Sequence, residues 1–427
     1  MKKFKVLLPW LPAICAVVIL AICLLIGYFE VSINFDETSS VKGALYGEIT
    51  VENSQGECTI HFGDEKGNAL SGYTKIGVCS EGKPYKMERL VIPPEAKTIV
   101  CKNGEKEDFA EIPEKYLLNE DDAFVFGALS DIHYNKYTAT GEDDAVVFFD
   151  KALDYFDKKD VDMVGITGDL SNDGEESAYI KYNEAIEERS YPVFTVTGNH
   201  DINAYKNGLW EQYITANIEN CVFAENGVDF YYTPGQEDGD VFVFLNVTMW
   251  SYSDKAKPAM STLQILWFED ILEQHADDQV YLFFHLFMCG PDGKSHTGVG
   301  NIMNPGGYTY PLPYRYGNAD ERILRSILKD YKNVVYFSGH SHWMFEMEIY
   351  NEKTNFSNFD GEYCYMVHIP SVTEPRWIGE NDTERTGKNG TESQGWLIYD
   401  YGDTTVLLPI DFISGTVYTE YMEIITK

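Results

Sequence analysis

Basic residues are scarce in this chain of 427: 33 lysines and arginines stand against 68 aspartates and glutamates, a formal net charge of −35. With no basic stripe to displace counterions from phosphates, nucleic acid is excluded as a partner, and an anionic lipid surface is repelled. Pairs of the C-x-x-C type are missing, which removes a cysteine zinc site and a thioredoxin-like centre. No internal repeat and no low-complexity tract occurs. An apolar content of 44% with 14% aromatics excludes a disordered chain. What remains is a folded, acidic protein with room for two or three compact units.

One long hydrophobic run is present. Lys2, Lys3 and Lys5 precede an uncharged stretch, 6–29, which as a helix spans about 36 Å against a bilayer core of about 30 Å. It exceeds the apolar core of a secretory signal peptide, about 7–15 residues, and Leu24–Phe29 offers no small-x-small cleavage site. The reading is a cytoplasmic tail at 1–5 and an uncleaved transmembrane signal anchor at 6–29, with everything after Phe29 on the extracytoplasmic side. A cleaved signal would instead give a secreted protein. Outside that run stand Cys58, Cys79, Cys101, Cys221, Cys289 and Cys364; export permits disulfides, and fifteen connectivities are open. Asn246, Asn355, Asn381 and Asn389 occupy Asn-x-Ser/Thr triplets.

Residues 30–44 are polar and unpatterned, as in a linker. Over 45–118, Leu45, Gly47, Ile49 and Val51 alternate with Tyr46, Glu48 and Thr50. Cys58, Ile60 and Phe62 repeat the pattern, with turns at Gly63-Asp64 and Gly67-Asn68. Short strands and turns of this kind predict a small β-sandwich. From 119 to 427 the texture is α/β. Apolar runs at 123–129, 161–167, 192–197, 241–247, 279–285 and 333–338 alternate with helical spacing at 142–158, 175–189, 261–275 and 318–330. Ser261 and Gln264 form a capping box for the third of these helices. A Gly-, Pro- and Tyr-rich loop, 288–317, reads as a lid or pocket wall, or else as a mobile insertion. After Tyr350 the pattern returns to β.

The polar residues that close the apolar runs carry the chemistry. They are Asp131-Ile-His133, Gly168-Asp169, Gly198-Asn199-His200-Asp201, His285 and Gly339-His340-Ser341-His342. A sheet that gathers strand ends would make these Asp, Asn and His side chains converge without a thiol, a donor set for zinc, manganese or iron. Seven candidate ligands exceed one tetrahedral ion and suit two ions sharing a carboxylate. Such a pair suits phosphate-ester hydrolysis: it acidifies a bridging water into a hydroxide nucleophile and offsets charge on the phosphoryl oxygens. His200 diverges from its neighbour Asn199 and is placed as general acid, with Asp201 setting its tautomer. His368, in a strand-like run, reads as core.

The order D-x-H, G-D, G-N-H-D, H, G-H-x-H resembles the calcineurin-like metallophosphoesterases, a superfamily that includes purple acid phosphatases and class III cyclic-nucleotide phosphodiesterases. The resemblance covers 121–427. It implies a two-sheet α/β sandwich with two divalent or trivalent ions, Fe, Mn or Zn. By motif, Asp131, His133 and His342 hold one ion. Asn199, His285 and His340 hold the other, with Asp169 bridging and His200 as the catalytic histidine. Where purple acid phosphatases place a tyrosine ligand, three residues after the bridging aspartate, this chain has Asn172, which argues against a charge-transfer iron site. The expected activity is hydrolysis of small phosphomonoesters or phosphodiesters. A nucleotidase or cyclic-nucleotide phosphodiesterase is the alternative enzyme, and a non-catalytic surface binding module the alternative from another class.

Overall fold

A computed structural model of the chain describes residues 30–35, 41–52, 56–80, 83–104, 106–136, 144–235, 239–250, 259–287, 318–345, 356–358, 361, 364–378, 384–386 and 391–427. The predicted membrane segment 6–29 and the loop 288–317 lie outside these residues. Among the described residues no helix is long and apolar enough to cross a membrane. The chain divides into two compact units, Met1–Asp121 and Asp122–Lys427.

Among its described residues the first unit holds seven strands: β1 (Glu30–Phe35), β2 (Ala44–Glu52), β3 (Cys58–Gly63), β4 (Gly77–Cys79), β5 (Tyr85–Val91), β6 (Thr98–Asn103) and β7 (Lys106–Glu111). They form two antiparallel sheets, ordered β1-β2-β5 and β4-β3-β6-β7. The linker read at 30–44 is corrected by β1. Val31, Ile33 and Phe35 alternate with Glu30, Ser32 and Asn34, a period of two short enough for its polar half to hide it. In the pair, Val31 meets Val51 and Ile33 meets Ile49.

The second unit runs β8 (Phe124–Leu129), α1 (Asp144–Lys158), β9 (Met163–Ile166), α2 (Glu176–Ile186), β10 (Val193–Thr195), α3 (Ile202–Lys206), α4 (Leu209–Tyr213), β11 (Val222–Phe223), β12 (Phe230–Tyr232) and β13 (Val241–Phe244). It continues with α5 (Thr262–Gln274), β14 (Val280–Phe283), α6 (Asn318–Asp330), β15 (Val334–Ser338), β16 (Phe356–Ser357), β17 (Tyr365–His368), β18 (Arg376–Ile378) and β19 (Glu384–Thr386). It closes with β20 (Gln394–Asp400), β21 (Thr404–Asp411), β22 (Thr416–Val417) and β23 (Glu423–Thr426). One seven-stranded sheet has the order β10-β9-β8-β20-β21-β22, with β23 also paired to β21; the other has the order β11-β12-β13-β14-β15-β17-β16. Strands β8, β9 and β10 are parallel in the first, and β13, β14, β15 and β17 in the second.

The strand sequences explain the layering. In Val-Phe-Val-Phe, Val-Tyr-Leu-Phe and Val-Val-Tyr-Phe (β13, β14 and the start of β15), alternate residues point to opposite faces. Val241, Val243, Val280 and Leu282 pack under α5 and α6 against Phe268, Leu272, Leu324 and Leu328. Phe242, Phe244, Tyr281, Phe283 and Phe337 face Phe126, Phe194, Trp396 and Leu407 of the other sheet. Phe244, Phe283 and Phe337 form a stacked row with centroids 5.0 and 4.9 Å apart. Helix α1 buries Ala145, Phe149, Ala152, Leu153 and Phe156, one stripe at helical spacing. The capping box of α5 is present: Ser261 N–H donates to Gln264 Oε1 at 2.8 Å, and Gln264 N–H to Ser261 Oγ at 3.2 Å. The carboxyl ends of parallel strands from both sheets come out on one side, where an open α/β sheet leaves polar side chains uncovered.

Candidate metal centre

Each predicted ligand follows one of those carboxyl ends. Asp131 and His133 come after β8, Asp169 after β9, Asn199 after β10, His285 after β14, and His340 and His342 after β15. The loops after β8 and β9 are laced together: Asp131 N–H donates to Gly168 O at 3.0 Å, His133 N–H to Asp169 O at 2.9 Å and Tyr134 N–H to Leu170 O at 2.8 Å. Across the sandwich, His340 N–H donates to Asp131 Oδ2 at 2.9 Å.

The structure brings all seven together. Asp131 Oδ1 lies 3.0 Å from His342 Nε2 and 3.7 Å from His133 Nε2, and those two nitrogens are 3.1 Å apart. His285 Nε2 lies 3.1 Å from each of Asp169 Oδ2, Asn199 Oδ1 and His340 Nδ1. Asp169 Oδ2 also stands 3.8 Å from His133 Nε2, so it touches both groups. Asp131, Asp169 and His285 are at most 1% exposed.

His285 Nδ1–H donates to Thr167 O at 2.9 Å, so Nε2 is the atom turned to the site. Without a cation, one proton on Nε2 can serve only one of the carboxylate, amide and imidazole atoms that converge on it. His342 is oriented in the same way, with Nδ1–H donating to Glu374 O at 3.2 Å. Asp131 Oδ1, fully buried, has no hydrogen-bond partner among the described residues. Acceptors converging at about 3.0–3.4 Å are the edges of a polyhedron around a cation held about 2.1 Å from each. Imidazoles anchored through the far nitrogen to backbone carbonyls are the usual metal-ligand arrangement. The residues present therefore fit metal ions.

The electrostatics agree. Burial alone would raise the carboxyl of Asp131, but the His342 and His133 imidazoles outweigh it and hold it well below its ordinary value. For Asp169, burial is likewise outweighed, by His285 and His200. Burial opposes the His285 imidazolium, yet the Asp169 carboxylate lifts that ring to about 9. Burial works the other way on His133 and His340 and lowers both rings, His340 well below its ordinary value.

Backbone strain is concentrated here. Among the described residues, eight that are not glycine have positive φ, and five of them are Asp131, His133, Asp169, His340 and His342, with φ from 52° to 70°. At about 1–3 kcal/mol each, such conformations persist where the surroundings impose them. Two glycines let the loops close up. A Cβ on Gly198 would sit 2.0 Å from Asp169 Oδ1, and one on Gly339 would sit 1.8 Å from Ser130 Oγ and 2.5 Å from Asp131 Oδ2. Gly198→Ala is therefore expected to displace Asp169, at a cost of about 1–3 kcal/mol. Calorimetry with metal analysis checks this: an unchanged melting temperature and metal content would refute the close approach.

His200 is placed at the rim and partly exposed, its ring edge-on to His133 with centroids 4.9 Å apart. Its backbone N–H donates to Asp169 Oδ1 at 2.8 Å, and its Nδ1–H donates to Asn172 O. Asn172 is thus the residue that sets the tautomer, and the expected role of Asp201 is corrected. The Asp201 carboxylate turns inward and accepts from Leu170 N, Ser171 N, Gly198 N, Ser171 Oγ and Tyr179 OH at 2.8–3.1 Å. It ties the loop after β9 to the loop after β10. Adjacency in sequence suggested a His–Asp pair, but Asp201 precedes α3 and its side chain folds back on the loop backbone.

Sequence reasoning missed the supports. Ser130 Oγ donates to Asp131 Oδ2, Ser371 Oγ to Asp131 O and Thr373 Oγ1 to Ile132 O. His368 is buried as expected, but its Nε2 lies 2.7 Å from Ser341 Oγ, between the two ligands of the last motif. Asn246 is fully buried, its Oδ1 accepting from Thr197 N at 2.8 Å, so its triplet is no glycosylation site in the folded protein.

The family model described as Calcineurin-like phosphoesterase matches residues 124–344. No curated protein matches the chain. Among solved structures, the chain is similar to a dimetal phosphatase from Danio rerio at 14% identity and TM-score 0.49, covering 71% of this chain and 98% of that one. It is similar to a purple acid phosphatase from yellow lupin (Lupinus luteus) seeds at 14% identity and TM-score 0.46, covering 94% and 75%. A structure of PhoD is similar at 10% identity and TM-score 0.42, covering 93% and 88%.

Proposed function

This chain belongs to the calcineurin-like phosphoesterase family, and on that premise we propose that it is a metal-dependent hydrolase of small phosphomonoesters or phosphodiesters. The observation that carries the reading is the convergence on His285 Nε2 of Asp169 Oδ2, Asn199 Oδ1 and His340 Nδ1, each at 3.1 Å. Asp131, His133 and His342 would hold one ion, and Asn199, His285 and His340 a second, with Asp169 shared. Bound there, such a pair would supply Lewis acidity toward the phosphoryl oxygens and acidify a water as nucleophile.

The protein's own residues do the rest. Asp131 and Asp169 hold the charge of the site. The Thr167 and Glu374 carbonyls fix the tautomers of His285 and His342. His200, with Nδ1–H committed to Asn172 O, presents Nε2 toward the site, where it can hand a proton to a leaving alkoxide. The acidic surface does not repel an anion from this pocket, because salt screens distant charge within about 8–10 Å. We further propose that the unit works on the extracytoplasmic side, anchored through 6–29, or is secreted if that segment is cleaved.

The test is metal loading. Purified protein is expected to carry close to two equivalents, and chelation to abolish hydrolysis of an aryl phosphate. A content near zero with no binding on titration would leave only a binding module. The proton supplies a second readout. Without an ion the Asp169 carboxylate raises the His285 imidazole to about 9, which favours a proton on Nε2 at pH 7 that an ion must displace. Titration of metal into the stripped protein at pH 7 should release protons, seen as a heat that depends on the buffer's ionisation enthalpy. Apparent affinity should weaken as pH falls.

A further inference from the structure

The cysteines of the first unit are outside the chemistry above, and the sheet β4-β3-β6-β7 narrows their pairing to one choice. Cys58, Cys79 and Cys101 are all buried, at 0%, 2% and 0% exposure. Cys58 on β3 is the direct antiparallel partner of Cys79 on β4. Residues so opposed have Cα atoms about 4.5–5.5 Å apart with side chains on the same face. A disulfide needs about 4.4–6.8 Å. Cys101 is the partner of Ile60, one step diagonal from Cys58. Diagonal neighbours lie about 7–8 Å apart, beyond reach of a bridge. Cys79 and Cys101 are separated by the whole of β3, about 9.5 Å at two strand spacings.

We propose that Cys58 and Cys79 are joined by a disulfide when the chain folds in an oxidising compartment, while Cys101 remains a thiol. The proposal draws its compartment from the export reading, but the pairing rests on register alone. Strand β4 is three residues long and lies at the sheet edge, so it has few ladder bonds of its own, and the cross-link would pin it. In the structure Cys58, Cys79 and Cys101 are free, and Cys79 Sγ–H donates to Lys83 O at 3.0 Å. Burial pushes the Cys101 thiol up to about 12, which keeps it protonated and unreactive once the sheet has formed. Because both sulfurs end up buried, the bond forms before β4 docks. The Cys79 thiolate attacks an external disulfide such as glutathione disulfide and releases one glutathione thiol. The Cys58 thiolate then attacks the Cys79 sulfur of the mixed disulfide and releases the second. Two electrons and two protons leave the protein with the two glutathione molecules.

The experiment is disulfide mapping of the full chain refolded in a glutathione redox buffer, with free thiols alkylated before digestion and mass spectrometry. The expected result is a linked peptide pair carrying Cys58 and Cys79, with Cys101 alkylated. Cys101→Ser should keep that link, and Cys79→Ser should leave Cys58 alkylated. Alkylated Cys58 and Cys79 in the folded chain, or a link that includes Cys101, overturns the proposal. Mapping of the unsubstituted chain decides even if a variant fails to fold. The result judges the pairing independently of phosphoesterase activity and of where in the cell the chain resides.

Discussion

Asp169→Asn is expected to lower kcat/KM for an aryl phosphate by about a thousandfold, roughly 4 kcal/mol of transition-state stabilisation, and to cost at least one metal equivalent. Asp169 touches both halves of the cage. Its Oδ2 lies 3.1 Å from His285 Nε2 and 3.8 Å from His133 Nε2, while Oδ1 accepts the His200 backbone N–H. Asparagine keeps the shape and the His200 contact. It removes the negative charge and offers one acceptor where two directions need it. At 1% exposure the site has no solvent to make good the loss. Asp131→Asn is the matched control: it should weaken the Asp131, His133 and His342 group and leave an ion in the other. Kinetics with elemental analysis on both variants tells them apart. Asp169→Asn with both equivalents and activity within about threefold of the parent would sink the shared-carboxylate reading.

The main elements of the second unit were legible because its strands are buried on both faces and its helices on one. The run Phe124–Leu129 and the stripe Phe149, Ala152 and Phe156 announce themselves by period. The ligands were legible for a related reason: a charged or imidazole residue directly after a buried apolar run has nowhere to go but the sheet's edge. Less could be read where chemistry depends on loop backbone. Nothing in Asp131-Ile132-His133 shows that two of three residues adopt left-handed φ, and Ser371 and Thr373, which brace that loop, are some 240 positions away in the chain. Asp201 misled because adjacency is not contact in a turn that feeds a helix. Strand β1 was hidden by three polar residues in six.

His200→Ala is the second large effect, and its signature lies in the leaving group. If His200 Nε2 delivers the proton, the loss should be about 10²- to 10⁴-fold for an alkyl phosphate, whose alkoxide leaves badly without it. For a nitrophenyl phosphate, which departs as a stable anion, the loss should be smaller by an order of magnitude or more. The geometry makes this separable from metal binding. The ring lies at the rim with Nδ1 held by the Asn172 carbonyl, and its backbone N–H, which the substitution keeps, is what holds Asp169 Oδ1. The variant should therefore retain the metal content of the parent. Its ring does stand close enough to His133 and Asp169 to serve as a ligand, so metal content is the decisive control. An equal loss for both substrates accompanied by a missing equivalent would reassign His200 from proton donor to ligand. An equal loss with full metal content would place the proton transfer elsewhere.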